Sequence, residues 1–301
     1  MNRRIVLLVT SPRLPAGLLT ADAWDLVRAH PVLAEAETEL TTALRASGAT
    51  VEIVQPSADL LLERAQPVAV WLAGPGGDEF LAREIGMRLA REPGLAELEL
   101  MYGSWDPPGA RLLDAVAVTD RLRAEDPWKR EQTHRTLAKY LLEEAYEAHD
   151  AILAEDHAEL RSEMGDVLLQ VLLHARLAEE LPEGESWNID DVAGDFVEKM
   201  VRRNPHVFSD TDVKDAAEVV ENWERIKQAE KGDTSFVDGL TWSLPSLLLA
   251  GKILEKARRA GAAEPVADDT LGARLLALVA SSDEDPETSL RLALRRYADT
   301  L

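Results

Sequence analysis

The chain runs to 301 residues, enough to bury a large core and to divide into two or three units. Its 33 Lys and Arg against 55 Asp and Glu leave a net charge of −22 with no long basic cluster, which argues against binding a nucleic-acid polymer. A small anionic substrate stays open, because a bound divalent metal reverses the local field. Cysteine is absent, which excludes disulfides, thiolate metal sites and a Cys nucleophile. The apolar run 5–9 after Arg3-Arg4 is too short for a signal-peptide core, and no run reaches the ~18 apolar residues of a membrane span. A soluble cytoplasmic protein without membrane contact is expected.

Residues 1–108 alternate strand and helix signals. Strands are predicted at 4–10, 50–54, 68–73 and 98–102, some of them apolar throughout as in a sheet covered on both faces. Helices are predicted at 33–47, closed by Gly48, and at 78–90, ending near Pro93-Gly94. Together they read as a small α/β unit. The loop Gly74-Pro75-Gly76-Gly77 matches neither the dinucleotide fingerprint nor the P-loop and reads as a tight turn. Gly103-Ser104-Trp105-Asp106-Pro107-Pro108-Gly109 is a linker. Helical periodicity follows at 112–123, 129–154, 157–180, 190–203 and 212–231, the last capped by Asp212 and ended by Gly232, and again at 247–260 and 271–280. Residues 109–301 are therefore expected to be helical.

The chemistry is concentrated in two of these helices. In the first, Leu137, Leu141, Ala148 and Ile152 form an apolar stripe, and at about 100° per residue Glu144 falls inside it and Glu147 at its edge. The second is apolar almost all round, which predicts burial, yet Glu163, Asp166, Gln170 and His174 share one narrow face. Buried carboxylates need a cation or a proton, so Glu144, Glu147, Glu163 and Asp166 are candidate ligands of an all-oxygen metal site. Mg²⁺ suits such a cage, and Mn²⁺ can substitute. Zinc is disfavoured because no His stands at ligand spacing, and a di-iron site because Glu-x-x-His is missing from both helices. His149-Asp150 resembles a phosphohydrolase dyad, but the helical wheel turns His149 towards solvent. Lys199 and Arg203, one turn apart, can reach the same anion. Trp223 and Lys227 have the same spacing and offer a stacking face beside a charge, while Trp128 and Gln132 precede the first carboxylate helix at the expected pocket mouth.

Five motifs in order carry a family resemblance. They are Asp126-Pro127-Trp128-Lys129-Arg130-Glu131-Gln132-Thr133-His134, then Tyr140-Leu141-Leu142-Glu143-Glu144-Ala145-Tyr146-Glu147, then Glu163-Met164-Gly165-Asp166, then Arg202-Arg203-Asn204-Pro205-His206-Val207-Phe208, and Trp223-Glu224-Arg225-Ile226-Lys227. Over about residues 109–232 the chain resembles MazG, a nucleoside triphosphate pyrophosphohydrolase of the all-α NTP pyrophosphatase superfamily. The resemblance implies a mainly α protein with a four-helix catalytic core. It implies cleavage of a nucleoside triphosphate between the α and β phosphates, with house-cleaning of non-canonical or excess nucleotides as the role. Carried over by position, Glu144, Glu147, Glu163 and Asp166 bind Mg²⁺, and Glu143 helps with metal or takes a proton from the attacking water. Lys199 and Arg203 hold the phosphate chain with Trp223 and Lys227 nearby, and Trp128 and Gln132 serve the nucleoside end.

A homodimer or higher homo-oligomer is also implied, burying stripes such as Leu168, Leu169 and Leu172. The expected division is 1–108, an α/β domain of unassigned role; 109–232, the catalytic helices; and 233–301, a helical remnant of a second copy. Leu244-Pro245-Ser246-Leu247 and Lys252-Ile253 resemble the start of that copy, but no carboxylate motif follows. Lys129 stands where relatives often have Asp. The competing readings are a non-catalytic nucleotide sensor or helical scaffold for a protein partner, and hydrolysis of another pyrophosphate ester.

Overall fold

A computed structural model describes residues 3–209, 211–231, 239–263, 265–266 and 268–301. The chain forms two compact units, Met1–Ala193 and Gly194–Leu301.

The first unit opens with an all-parallel five-stranded sheet in the order β3-β2-β4-β1-β5. The strands are β1 (Arg4–Val9), β2 (Val32–Ala34), β3 (Val51–Ile53), β4 (Val68–Ala73) and β5 (Glu97–Tyr102), joined by helices α1 (Ala21–Ala29), α2 (Glu39–Ala46), α3 (Ala58–Arg64) and α4 (Glu79–Arg91). The two-residue period of a strand sends Ile5, Leu7 and Val9 to one face, against Leu61, Leu62, Leu81 and Ile85 of α3 and α4. It sends Val6 and Leu8 to the other, against Ala23, Leu26, Val27 and Leu44 of α1 and α2. Helices on both faces explain why β1 and β4 read as unbroken apolar runs. Gly103 follows β5 where space is tight: an added Cβ would lie 2.9 Å from Leu8 Cδ1.

The helix expected at 33–47 is corrected. Val32, Leu33 and Ala34 are buried strand residues paired with β3 and β4, and α2 starts only at Glu39. A three-residue apolar run carries no period of its own, whereas the Thr38–Thr41 capping box fixes the true helix start. Gly48, at φ +93°, closes α2 as expected. The short helices α1 and α3, capped by Thr20 and Ser57, escaped the periodicity reading.

The helices that follow are α5 (Arg111–Glu125), α6 (Pro127–Arg130), α7 (His134–Leu153) and α8 (His157–Ala178). The helix expected at 129–154 is split. Asp126 and Pro127 start α6, and the reciprocal Thr133–Thr136 capping box starts α7 afresh. A three-residue turn folds α7 and α8 into a hairpin closed by Leu137, Leu173 and Leu177, with Tyr140 and Leu169 packed alongside. Arg123 of α5 clasps Glu180 through two nitrogens, at 2.9 and 2.7 Å, and Arg176 of α8 reaches Asp120 at 3.4 Å.

Helix α9 (Ile189–Arg203) runs into the second unit, which holds α10 (Pro205–Phe208), α11 (Ala216–Lys231), α12 (Ser246–Arg259), α13 (Leu271–Ala280) and α14 (Pro286–Ala298). The cap expected at Asp212 is corrected to Asp215, whose carboxylate accepts from the Glu218 N–H at 2.9 Å. Gly232, the expected stop of α11, lies outside the described residues. The chain is thus mainly helical with a small α/β layer at its start, and no helix among the described residues is long and apolar enough to cross a membrane.

Leu137, 1% exposed, anchors the hairpin, while Leu142, 61% exposed, does not. Leu137→Ala is expected to cost about 2–5 kcal/mol in urea unfolding, and Leu142→Ala less than about 0.5 kcal/mol. Equal costs would contradict this packing.

Candidate metal centre

Helices α7 and α8 bring Glu144, Glu163 and Asp166 together, each offering one carboxylate oxygen within 4.8 Å of the others. All three side chains are half-buried. Glu163 and Asp166 are one turn apart on α8, whose start is fixed by Asp156 accepting the Ala158 and Glu159 N–H groups at 3.0 Å. Glu147 is exposed at the rim, one turn from Glu144 on α7. Glu143 is exposed beside it.

The crowding is electrostatically costly. Partial burial, followed by the charges of Asp166, Glu147 and Glu143, pushes the Glu144 carboxyl above the usual carboxylate range. Partial burial, followed by Glu147, Glu159, Asp166 and Glu144, pushes Glu163 up likewise. An all-oxygen set of mutually repelling carboxylates fits a hard divalent cation, and it lacks the nitrogen and sulfur donors of a zinc site.

The expectation that α8 is buried almost all round is corrected. Only from Gln170 onward does it enter the core; Met164 is 52% exposed, and Leu168 and Leu169 are half-buried. On α7 the buried residues are Leu137, Ala148 and Ala151, while Leu141 and Ile152 face out. Arg176, in the second half of α8, meets Asp120 of α5, while Met164 in the carboxylate half is exposed. Leu172, expected in an interface, is already buried within the single chain. His149 is half-buried rather than turned fully to solvent, and its Nδ1 lies 3.6 Å from Asp150 Oδ1, beyond hydrogen-bond distance.

Below the carboxylates lies a polar pair that the sequence did not reveal. His134 and His174 stack with their Nδ1 atoms 2.8 Å apart, and Trp187 stacks on His134. Burial, then the neighbouring His134, pushes His174 down, which favours its neutral form. One ring then donates and the other accepts. Forty residues separate the two histidines, a distance that no local motif bridges.

At the α6–α7 junction Trp128 packs edge-on to Tyr140, 5.6 Å between centroids, and stays 46% exposed. Both ends of the Gln132 amide are engaged, Nε2 donating to the Trp128 carbonyl at 2.9 Å and Oε1 accepting from Thr136 at 2.8 Å. In the second unit Arg203 grips Glu230 at 2.6 Å and lies over the Trp223 ring at 5.3 Å, and Arg202 joins the same carboxylate at 2.7 Å. The two guanidiniums hold Glu230 down at about 2. Lys227 pairs with Glu224 at 3.1 Å, and Lys199 is exposed on α9.

The family model of the MazG nucleotide pyrophosphohydrolase domain matches residues 132–208. The chain is 46% identical to an uncharacterized 26.1 kDa protein of Streptomyces cacaoi over 233 residues, 75% of this chain and 95% of that one. It is 32% identical to the nucleoside triphosphate pyrophosphohydrolase/pyrophosphatase MazG of Thermotoga maritima over 216 residues, 62% of this chain and 82% of that one. The chain belongs to the MazG family. It is 42% identical over 197 residues to the nucleoside triphosphate pyrophosphohydrolase of Mycolicibacterium smegmatis, a match spanning 64% of this chain and 59% of that enzyme. The MazG-matched segment contains all four candidate carboxylates, Lys199 and Arg203, whereas Trp128, Trp223 and Lys227 lie outside it.

The raised carboxyls set a pH dependence for the metal-free protein. Folded values above unfolded ones mean that their contribution to stability is full below the ordinary Glu value, about 4.3, and is lost as pH rises through the raised values. In EDTA, Glu163→Gln is therefore expected to melt at a higher temperature than the parent at pH 7 and at a similar one near pH 4. A parent as stable as the variant at pH 7 would show that the cluster carries no repulsion.

Proposed function

We propose that the protein is a Mg²⁺-dependent nucleoside triphosphate pyrophosphohydrolase, converting a (d)NTP and water to a (d)NMP and pyrophosphate in the clearance of non-canonical or excess nucleotides. The observation that carries this reading is the convergence of Glu144, Glu163 and Asp166 on one point. Carboxylate oxygens suit Mg²⁺, with Mn²⁺ as a substitute. When bound, such an ion lowers the pKa of a coordinated water and neutralises charge on the leaving pyrophosphate.

The chain's own groups divide the remaining work. Glu144, Glu163 and Asp166 supply the ligand oxygens, and Glu147 stands at the rim to complete the set. Glu143, exposed next to Glu144, takes a proton from the attacking water. Lys199 and Arg203 hold the phosphate chain. Arg203 is held by Glu230 over Trp223, so the pairing keeps the guanidinium oriented until phosphate oxygens compete for it. Trp128 offers an exposed ring to the nucleoside, and Gln132 fixes the turn that presents it. In this reading residues 109–232 are the catalytic part and 233–301 a remnant whose sequence carries neither carboxylate motif. The open face of Leu141, Leu142 and Met164 favours a homo-oligomer.

The test is ³¹P NMR of the protein with Mg²⁺ and a panel of NTPs and dNTPs. Monophosphate and pyrophosphate are expected, and Glu144→Ala or Asp166→Ala is expected to lower turnover more than about a hundredfold, beyond the loss of an outer hydrogen-bond partner, while the fold survives. Diphosphate with orthophosphate would mean that another bond is cut. Full turnover in either variant would remove these residues from the site.

A further inference from the structure

The α/β layer, which the reading above leaves without a role, contains a cleft of about 400 Å³. Its floor is the carboxyl ends of the strands: Thr10 and Ser11 after β1, Glu35 after β2, Gly74 after β4 and Ser104 after β5. Open parallel sheets bind their ligands in this position, and the volume lies within the range of small-molecule sites. One wall is the β1–α1 loop, which is held in place. Arg13 reaches both oxygens of Asp114 on α5, at 2.9 and 2.8 Å, and also pairs with Asp106, while the Ser11 hydroxyl bonds to Asp106. The site is therefore built before any ligand arrives.

The lining determines what it takes. Leu14, Leu18, Leu19, Leu40 and Leu72 supply an apolar enclosure. No Lys, Arg or His lines the cleft, but Glu35 and Glu39 do, and neither is paired with a cation among the described residues. The hydroxyls of the floor take part in hydrogen bonds within the fold. Thr10 donates to the Ala73 carbonyl at 3.4 Å, Ser11 is bound to Asp106, and Ser104 accepts from the Ser11 N–H at 2.9 Å. The charged groups of the lining, Glu35 and Glu39, are both acidic and stand exposed at its rim, and their complement is a donor carrying positive charge. A phosphate or carboxylate would meet repulsion with no cation to offset it.

We propose that this cleft is a second binding site, for a small organic amine in which an ammonium group faces Glu35 and Glu39 and an apolar body fills the leucine-lined enclosure. It stands apart from the carboxylate cluster on α7 and α8 and takes the opposite charge class from a nucleotide.

The experiment is saturation-transfer NMR and calorimetry on the full chain with three matched probes: 3-phenylpropylamine, 3-phenylpropanol and 3-phenylpropionate. The amine is expected to bind, the alcohol at least about tenfold more weakly and the carboxylate not at all, with affinity falling as salt is raised. Glu35→Gln with Glu39→Gln is expected to weaken the amine by about tenfold or more while leaving NTP turnover unchanged. Ala36→Trp, on an exposed loop at the cleft, is expected to block all probes without unfolding the chain, as checked by circular dichroism. Equal binding of amine and carboxylate, amine binding that both Gln substitutions leave intact, or no amine binding at millimolar protein would each overturn the proposal.

Discussion

Like charges a few ångströms apart repel unless a cation or a proton lies between them. Helices α7 and α8 hold Glu144, Glu163 and Asp166 at that spacing. Folding alone gains nothing from the arrangement, since both glutamates have raised affinities for protons, the mark of carboxyls placed where their charge is unwelcome. A divalent cation converts the cost into a binding free energy. The remainder of the first unit can be understood as the scaffold that keeps these groups from moving apart.

That scaffold is local and layered. Leu137, Leu173 and Leu177 close the open end of the hairpin, away from the short turn. Capping groups at Thr133 and Asp156 fix where each helix begins, and hence which residues face each other across the pair. The clasp of Arg123 on Glu180 ties α5 to the end of α8 with two nitrogens on one carboxylate, and it continues into the Lys129 and Gln132 carbonyls before α7. One guanidinium therefore joins three segments at the open end of the hairpin. On the other side α5 receives Arg13 at Asp114, so the α/β layer and the catalytic helices share a polar joint rather than a loose tether.

Much of this was legible in the residues. The helix spans of α5, α8, α9 and α13 follow from periodicity, and the family resemblance rests on five motifs that keep their order. The helical wheel puts Glu163 and Asp166 on one face of α8 and Glu144 on the stripe of α7, because helix geometry is set by the local chain. What the wheel did not give was depth. Leu141 and Ile152 share the stripe of Leu137 yet face out, since burial depends on which partner covers each turn, and that is a tertiary fact. Strand β2 was hidden because its three residues gain strand character only from pairing with β3 and β4. The His134–His174 pair and the hold of Glu230 on Arg203 join residues 40 and 27 positions apart, and no motif spans such a gap.

The central claim is that the three carboxylates form one divalent-cation site. Electron paramagnetic resonance of added Mn²⁺ tests it without depending on substrate choice. The parent protein is expected to remove free Mn²⁺ signal in a saturable way that Mg²⁺ reverses. Asp166→Asn and Glu163→Gln, each carrying the same fold, are expected to leave that Mn²⁺ free. Unchanged Mn²⁺ binding in both variants would contradict the account, because the cation would then have its site elsewhere in this acidic chain.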